Sequence, residues 1–164
     1  MSLLGVCEWL EQTWLAAAVQ ESRYGFPLLV AVHLLGLALS VGTLLWVDLR
    51  MVGVALRRAA VAEVYRALAP WFSIGFLLSF ASGAALFVAF ASAAYGNTFF
   101  RLKMAALALA GANAVVFHLL SGGSRPSADR GSRSRATMRA AGWVSIVLWT
   151  GVTLAGRMMS YTMF

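Results

Sequence analysis

The stretch VAVHLLGLALSVG, residues 30–42, consists of apolar or small residues except for one titratable side chain, His33. Such a run is soluble in lipid, and a helix needs about 20 residues of this kind to cross the bilayer core. A titratable side chain within a membrane span is costly, and it marks a functional site by default. The stretch therefore predicts a membrane helix that carries a candidate site.

The composition of the whole chain supports the same class of protein. Its 164 residues are 61% hydrophobic and 12% charged, whereas soluble domains carry about 25% charged residues. The net charge is +7, but the basic residues cluster in the connections between apolar runs, so we predict no nucleic-acid partner. The single cysteine, Cys7, excludes an intramolecular disulfide. The chain is predicted to be an integral membrane protein whose surroundings are the lipid bilayer.

Hydropathy predicts an all-α fold in one membrane domain, residues 1–164: a four-transmembrane-helix bundle preceded by an amphipathic helix. The predicted spans are about 24–47, 71–94, 99–120 and 141–163. Pro70 is the start signal of the second span.

The amphipathic helix is predicted over residues 2–20, where Leu3, Cys7, Leu10 and Trp14 share one face. We expect it to lie at the bilayer interface. The alternative is that this face packs on a partner subunit.

Charge asymmetry predicts the orientation of the spans. Nine arginines fall in the first and third connections, against four cations on the other side: Arg23, Arg101, Lys103 and Arg157. Because basic loops stay in the cytoplasm, we predict a multi-pass protein of the bacterial inner membrane with both termini in the periplasm. Residues 121–139 form the basic cytoplasmic loop, since 121–137 hold turn formers and no apolar period.

Small residues follow one face of two spans. Gly75, Ser79 and Gly83 recur every four residues, and Gly36 and Ser40 follow His33 at three and seven. Such faces let helices approach closely. They could equally let a flat ligand lie against the backbone, and small residues alone do not choose between these readings.

Three polar residues of different spans are predicted to share one layer near the outer side. At about 1.5 Å per residue, His33 lies roughly 5 Å, Arg157 roughly 8 Å and Lys103 roughly 13 Å outward of mid-span. Tyr161 lies one turn beyond Arg157. One imidazole and two cations suit b-type haem, which needs an iron ligand and basic partners for two propionates. They also suit an anionic lipid headgroup, a quinone-like molecule, or cations that merely reach the headgroups.

His118 is predicted to belong to a different layer. It lies about 9 Å inward, so roughly 14 Å of depth separates it from His33, and one iron does not take both as ligands. We expect His118 near Asp48 and Arg50, where it pairs with the carboxylate or holds a second cofactor. Met104, next to Lys103, is a candidate sixth ligand in the outer layer.

Several segments carry a resemblance to known proteins: HLLGLALSVGTLLWVDLRMVG, APWFSIGF, SGAALF, FFRLKMAALALAGANAVVFH and LWTGVTLAGRMMSY. They resemble an uncharacterised family of bacterial four-span membrane proteins. That family is similar in turn to the membrane domain of CopD-type copper-resistance proteins and to HemJ-type protoporphyrinogen oxidases. The resemblance implies a haem or porphyrin site between the first and third spans, with His33 as the first-span histidine and Lys103 as the third-span lysine.

The sequence therefore predicts a b-type haem-binding protein that transfers electrons to or from a quinone or a periplasmic redox partner. His33 is the predicted metal ligand. The predicted cofactor-binding residues are His33, Lys103, Arg157, Tyr161, His118 and Gly36. Two alternatives remain open: a HemJ-like enzyme that oxidises a porphyrinogen, and a small structural or lipid-binding subunit among partner subunits.

Overall fold

A computed structural model describes residues 2–121 and 131–163 of the chain. Within these ranges the chain forms seven helices and no strand. They are α1 (Leu3–Glu11), α2 (Trp14–Glu21), α3 (Gly25–Val52), α4 (Val61–Ala89), α5 (Ala91–Gly96), α6 (Thr98–Ser121) and α7 (Gly131–Met163).

Four of these helices, α3, α4, α6 and α7, are long and apolar enough to cross a membrane. Their outward-facing side chains are large and apolar: Leu35, Leu77, Leu119 and Val147 are each more than half exposed. A water-exposed surface of this kind is unfavourable, whereas lipid accommodates it. The prediction of an all-helical, multi-pass membrane protein is therefore confirmed.

The start of the second long helix differs from the prediction. Pro70 lies inside α4, which begins at Val61, nine residues earlier. The Glu63 side chain accepts a hydrogen bond from the Ala60 backbone N–H at 3.0 Å. That contact satisfies one of the unpaired donors at the helix start. Pro70 cannot donate a backbone hydrogen bond and its ring crowds the carbonyl four residues earlier, so it is an unfavourable residue that the rest of this long helix accommodates.

The far end of α4 also differs from the predicted span of 71–94. The helix ends at Ala89, and α5 starts afresh after Phe90. Two N-terminal side chains bind the groups left free at this break: Gln20 Nε2 donates to the Ala89 carbonyl at 2.5 Å, and Glu11 accepts from the Ser92 N–H at 2.8 Å. The interruption is therefore stabilised by the segment that precedes the spans.

That N-terminal segment forms two helices rather than the single helix predicted over 2–20. Thr13 accepts from the Ala16 N–H at 3.4 Å and so caps a new helix. Cys7 and Val19 are buried, while Trp14 is 81% exposed, and α1 and α2 pack mainly on α5 and α4. Its position at a bilayer interface stays a prediction.

The predicted loop at residues 121–139 is shorter than expected. Ser121 ends α6, and α7 begins at Gly131 rather than near residue 141; residues 122–130 lie outside the described part of the chain. Arginine, alanine and methionine are good helix formers. The basic segment therefore forms the first turns of α7, although it has no apolar periodicity. Met138 adds a packing contact to the buried cluster of Val47, Met51, Val64 and Ala141.

Packing of the long helices leaves one side open. The packed pairs are α3 with α4, α6 with α7, and α3 with α7; in the part of the chain that the structure describes, α4 does not pack along α6. The rings of Phe87 and Phe100 stack across the gap, with centroids 5.4 Å apart. The long helices therefore pack in the order α4–α3–α7–α6. Because α4 and α6 do not close the ring, a cleft lies between them.

Candidate functional site

The cleft between α3, α4, α6 and α7 has a volume of about 400 Å³, which is within the range of ligand pockets. We call it the histidine cleft. Its walls are mainly apolar and aromatic, with two titratable side chains, His33 and Lys103, from helices that face each other across it. The apolar and aromatic lining residues include Leu37, Phe76, Phe80, Phe87, Phe100, Met104, Leu107 and Trp149.

The His33 imidazole is held by the neighbouring helix. Its Nδ1 lies 2.8 Å from the Ser79 carbonyl oxygen and 3.2 Å from Ser82 Oγ. A carbonyl oxygen only accepts, so Nδ1 carries the proton and donates it to Ser79. The imidazole of His33 in α3 is therefore bonded to the backbone of α4. The same bond assigns the remaining lone pair of the neutral ring to Nε2.

Nε2 of His33 is open to the cleft. No residue in the described ranges forms a hydrogen bond with it. Every completely buried side-chain nitrogen or oxygen in those ranges has a partner, so the unpartnered Nε2 is not completely buried. Nε2 is therefore accessible rather than sealed. An imidazole that donates through one nitrogen to a backbone carbonyl and presents the other is the usual arrangement of a metal-ligating histidine.

The stripe of small residues on α4 explains how the ring is accommodated. A methyl group on Gly83 would lie 2.9 Å from His33 Cε1, so glycine there leaves room for the imidazole. Ser79 supplies the carbonyl, and Gly75 lies where α3 crosses α4. The three positions therefore serve three different purposes.

Gly36, which we predicted to border a cofactor, lies instead at the helix crossing. A methyl group there would approach the Ser79 nitrogen to 2.5 Å and the Gly75 oxygen to 2.8 Å. The two backbones occupy the space that a flat ligand would need. Of the two readings of the small residues, helix contact is correct at Gly36 and Gly75.

Lys103 brings a positive charge into the same cleft. Its side chain is half-buried, and its ammonium group is near Gly156 of α7, where a methyl group would be 3.6 Å from Nζ. Among the described residues no carboxylate pairs with it. A cation without a protein anion, beside an open imidazole, favours a ligand that carries its own negative charge.

Arg157 and Tyr161 lie outside the histidine cleft, contrary to the prediction of a three-residue polar layer. The Arg157 guanidinium donates to the Tyr161 hydroxyl at 2.8 Å and stacks over its ring at 4.7 Å. Both side chains are exposed. Val152 and Gly156 turn toward the cleft, and one further residue along α7 rotates Arg157 by about 100° to another face.

His118 and Asp48 do not form the predicted pair. Asp48 is buried, and its Oδ2 accepts a hydrogen bond from Ser145 Oγ at 2.6 Å. The His118 side chain is exposed near the end of α6, and it forms no hydrogen bond within the described ranges. The Ser145 hydroxyl, which hydropathy does not single out, therefore bonds one of the two carboxyl oxygens in place of His118.

The aromatic wall is the part of the site that sequence reasoning missed. Phe76 and Phe80 of α4 line the cleft with their ring centroids 6.0 Å apart, and Phe72 continues the stack beyond the lining, 5.8 Å from Phe76. Their four-residue spacing was a detectable signal, but aromatic residues in membrane spans are common and do not indicate a site. Met104, the candidate sixth ligand, does line the cleft.

The described residues show no cluster of three or more His, Cys, Asp and Glu side chains for a bare metal ion. A protein-bound zinc ion takes three or four such ligands. A metal that arrives in a macrocycle needs one or two protein ligands. The donor set of the histidine cleft therefore fits haem better than a free ion.

Comparison with known proteins identifies a family without assigning a function. A family model described as a family of unknown function, DUF6644, matches residues 7–162, which confirms the predicted membership of an uncharacterised family. Searches of curated proteins and of solved structures each found no significant match. The resemblance to CopD- and HemJ-type proteins therefore stays a prediction.

Proposed function

We propose that this chain, which belongs to the DUF6644 family of unknown function, binds b-type haem in its histidine cleft and serves in electron transfer. The observation that carries the proposal is the His33 ring, whose Nδ1 is held by the Ser79 carbonyl while Nε2 opens into an apolar cleft. Haem held there would supply one-electron chemistry at its iron.

The surrounding residues have complementary roles in this proposal. Lys103 pairs with a propionate carboxylate, replacing the water that a buried ammonium group loses. The stacked rings of Phe87 and Phe100 close one end of the cleft and exclude water from the iron ligand. Met104 would supply a second ligand to the iron, since it lines the same cleft from α6.

The same proposal includes the finer membrane arrangement. The four long helices form a bundle in the bacterial inner membrane, both termini are periplasmic, and α1 and α2 lie at the outer interface. His33 and Lys103 are then near the periplasmic side, within reach of a quinone in the bilayer or of a periplasmic redox protein. The asymmetry of the basic connections supports this orientation.

Absorption spectra of the detergent-purified protein, oxidised and then dithionite-reduced, test the proposal. We expect a Soret band with sharpened reduced bands in the wild type and its loss in His33→Ala, because the iron ligand is gone. His118→Ala is the matched control: it removes the other histidine of the chain, which lies outside the cleft, and should keep the spectrum. Haem is supplied during expression of all three proteins.

A folded wild type that stays colourless contradicts the proposal. An unchanged spectrum in His33→Ala, or a loss confined to His118→Ala, contradicts the assignment of His33. Circular dichroism at equal protein concentration separates loss of haem from loss of fold.

A further inference from the structure

A second cleft, of about 200 Å³, lies between α3 and α7 and is separate from the proposed haem site. We call it the aspartate cleft; its lining includes Val41, Leu45, Asp48, Trp149, Thr150 and Leu154. The α3 residues at 41, 45 and 48 follow a helical face other than that of His33, Leu37 and Ser40. Leu45 and Leu154 are 40% and 61% exposed, so the cleft opens on the apolar surface of the long helices.

Asp48 is the chemically distinctive group in this cleft. It is 4% exposed, and among the described residues its only neighbouring polar partner is the Ser145 hydroxyl on Oδ2; no cation pairs with it. No completely buried side-chain oxygen in the described ranges lacks a partner, so Oδ1 keeps access to the cleft. A carboxyl group within a membrane span requires a proton, a cation or a hydrogen-bond donor.

The walls decide which of these partners fits. Most of the lining is aliphatic or aromatic, and a hydrated metal ion needs several oxygen ligands in place of its water. One carboxyl oxygen in an apolar cleft that faces lipid suits instead a lipid-soluble ring with a hydroxyl group. A carboxylate accepts from such a hydroxyl, and a carboxylic acid donates to the corresponding carbonyl, so the same residue serves both redox forms of that ring.

We propose that the aspartate cleft binds the headgroup of a membrane quinol, with one quinol hydroxyl donating to Asp48 Oδ1. The choice of a quinol among lipid-soluble hydroxyl donors rests on the proposed function, which needs an electron partner in the bilayer. Trp149 supports the choice, because its side chain lines both the aspartate cleft and the histidine cleft. Trp149 therefore borders both the proposed quinol site and the proposed haem site.

Photolabelling of the full-length protein in detergent tests this site directly. The probe is a ubiquinone analogue with an azido group and a short alkyl tail, and the competitor is decylubiquinol. Mass spectrometry should locate the label in peptides covering residues 41–48 and 146–154. Asp48→Asn should weaken competition by about tenfold, because a charged acceptor is replaced by a neutral amide oxygen.

Two further variants keep the test decisive if Asp48→Asn fails to fold. Leu45→Trp fills the mouth of the cleft without touching the carboxyl group, and it should abolish the label. Val147→Trp is its matched control, since Val147 is 67% exposed on α7 and lines neither of the two clefts. Label that persists in Leu45→Trp, or that maps to residues 100–107 instead, overturns the quinol site.

The haem-free variant His33→Ala separates this inference from the proposed function. Competed label at the aspartate cleft in that variant supports the quinol site without reference to haem. A haem-containing wild type that takes no competed label overturns the quinol site and leaves the haem proposal standing. A colourless wild type that takes competed label supports the quinol site and contradicts the haem proposal.

Discussion

At His33, one backbone carbonyl determines what the imidazole can do. The bond from Nδ1 to the Ser79 oxygen, 2.8 Å long, places the proton on the nitrogen that faces α4. The opposite nitrogen is then left with a lone pair that opens into an apolar cleft. A histidine at the same depth without that carbonyl could present either nitrogen, and the ring would be free to turn.

Lys103 and Arg157 differ in which surface of the protein their side chains reach. Sequence depth placed both beside His33, but only Lys103 lines the histidine cleft. We predict that Lys103→Met weakens haem binding by about tenfold, because a charge-assisted pair is lost. Arg157→Met is the matched control and should bind haem as the wild type does. Titration of haem into the haem-free proteins, followed at the Soret band, measures both.

An equal loss of affinity in Arg157→Met would contradict this division. It would restore the layer of two cations that the sequence predicted. The hydrogen bond between Arg157 and Tyr161 gives the reason to expect otherwise, since it holds the guanidinium on another face of α7.

At the scale of the elements, the crossing of α3 and α4 sets the geometry of the cleft. Gly36 and Gly75 bring the two backbones together, so a methyl group on either would lie within 2.8 Å of the partner's backbone. This close approach carries Ser79 to His33. The stripe of small residues in the sequence indicates a contact surface. Which residue each of them contacts depends on where the two helices cross.

We predict that Gly36→Ala lowers the free energy of unfolding by about 1–3 kcal/mol, because the added methyl forces the helices apart. Gly111→Ala is the matched control in α6, where nothing lies within 4 Å of the added methyl group. It should be neutral or stabilising by up to about 1 kcal/mol. Unfolding of both variants in mixed micelles of SDS measures the difference. A Gly36→Ala variant at least as stable as Gly111→Ala would refute the close crossing.

At the scale of the whole molecule, α4 and α6 do not pack along their lengths in the described ranges of the chain. Helices α3 and α7 form the common wall of two clefts. Trp149 lies in that wall. The N-terminal helices pack against the break at Phe90, where Glu11 and Gln20 bind the backbone groups that the break frees. These polar contacts therefore lie at the end of the molecule that holds His33.

The orientation of this assembly gives the last prediction. In a Cys7→Ser background, Glu21→Cys should react with a membrane-impermeant maleimide in intact spheroplasts, because it precedes α3 on the periplasmic side. Arg58→Cys, between α3 and α4, should react only after lysis. Both positions are exposed, so both should react in lysed cells. The reverse pattern would invert the proposed topology.

Hydropathy, charge and residue spacing by themselves determined the class of this protein, the existence of four long apolar helices and the presence of two titratable side chains, His33 and Lys103, within them. Those features depend on local composition, since the cost of placing a group in lipid is a property of the segment that carries it. Only the tertiary structure decided that α4 begins before Pro70 and α7 at Gly131, that Arg157 lies outside the cleft and that Ser145 is the partner of Asp48. Each of these depends on rotation and contact between helices, which a chain of apolar residues leaves open because lipid favours every apolar face alike.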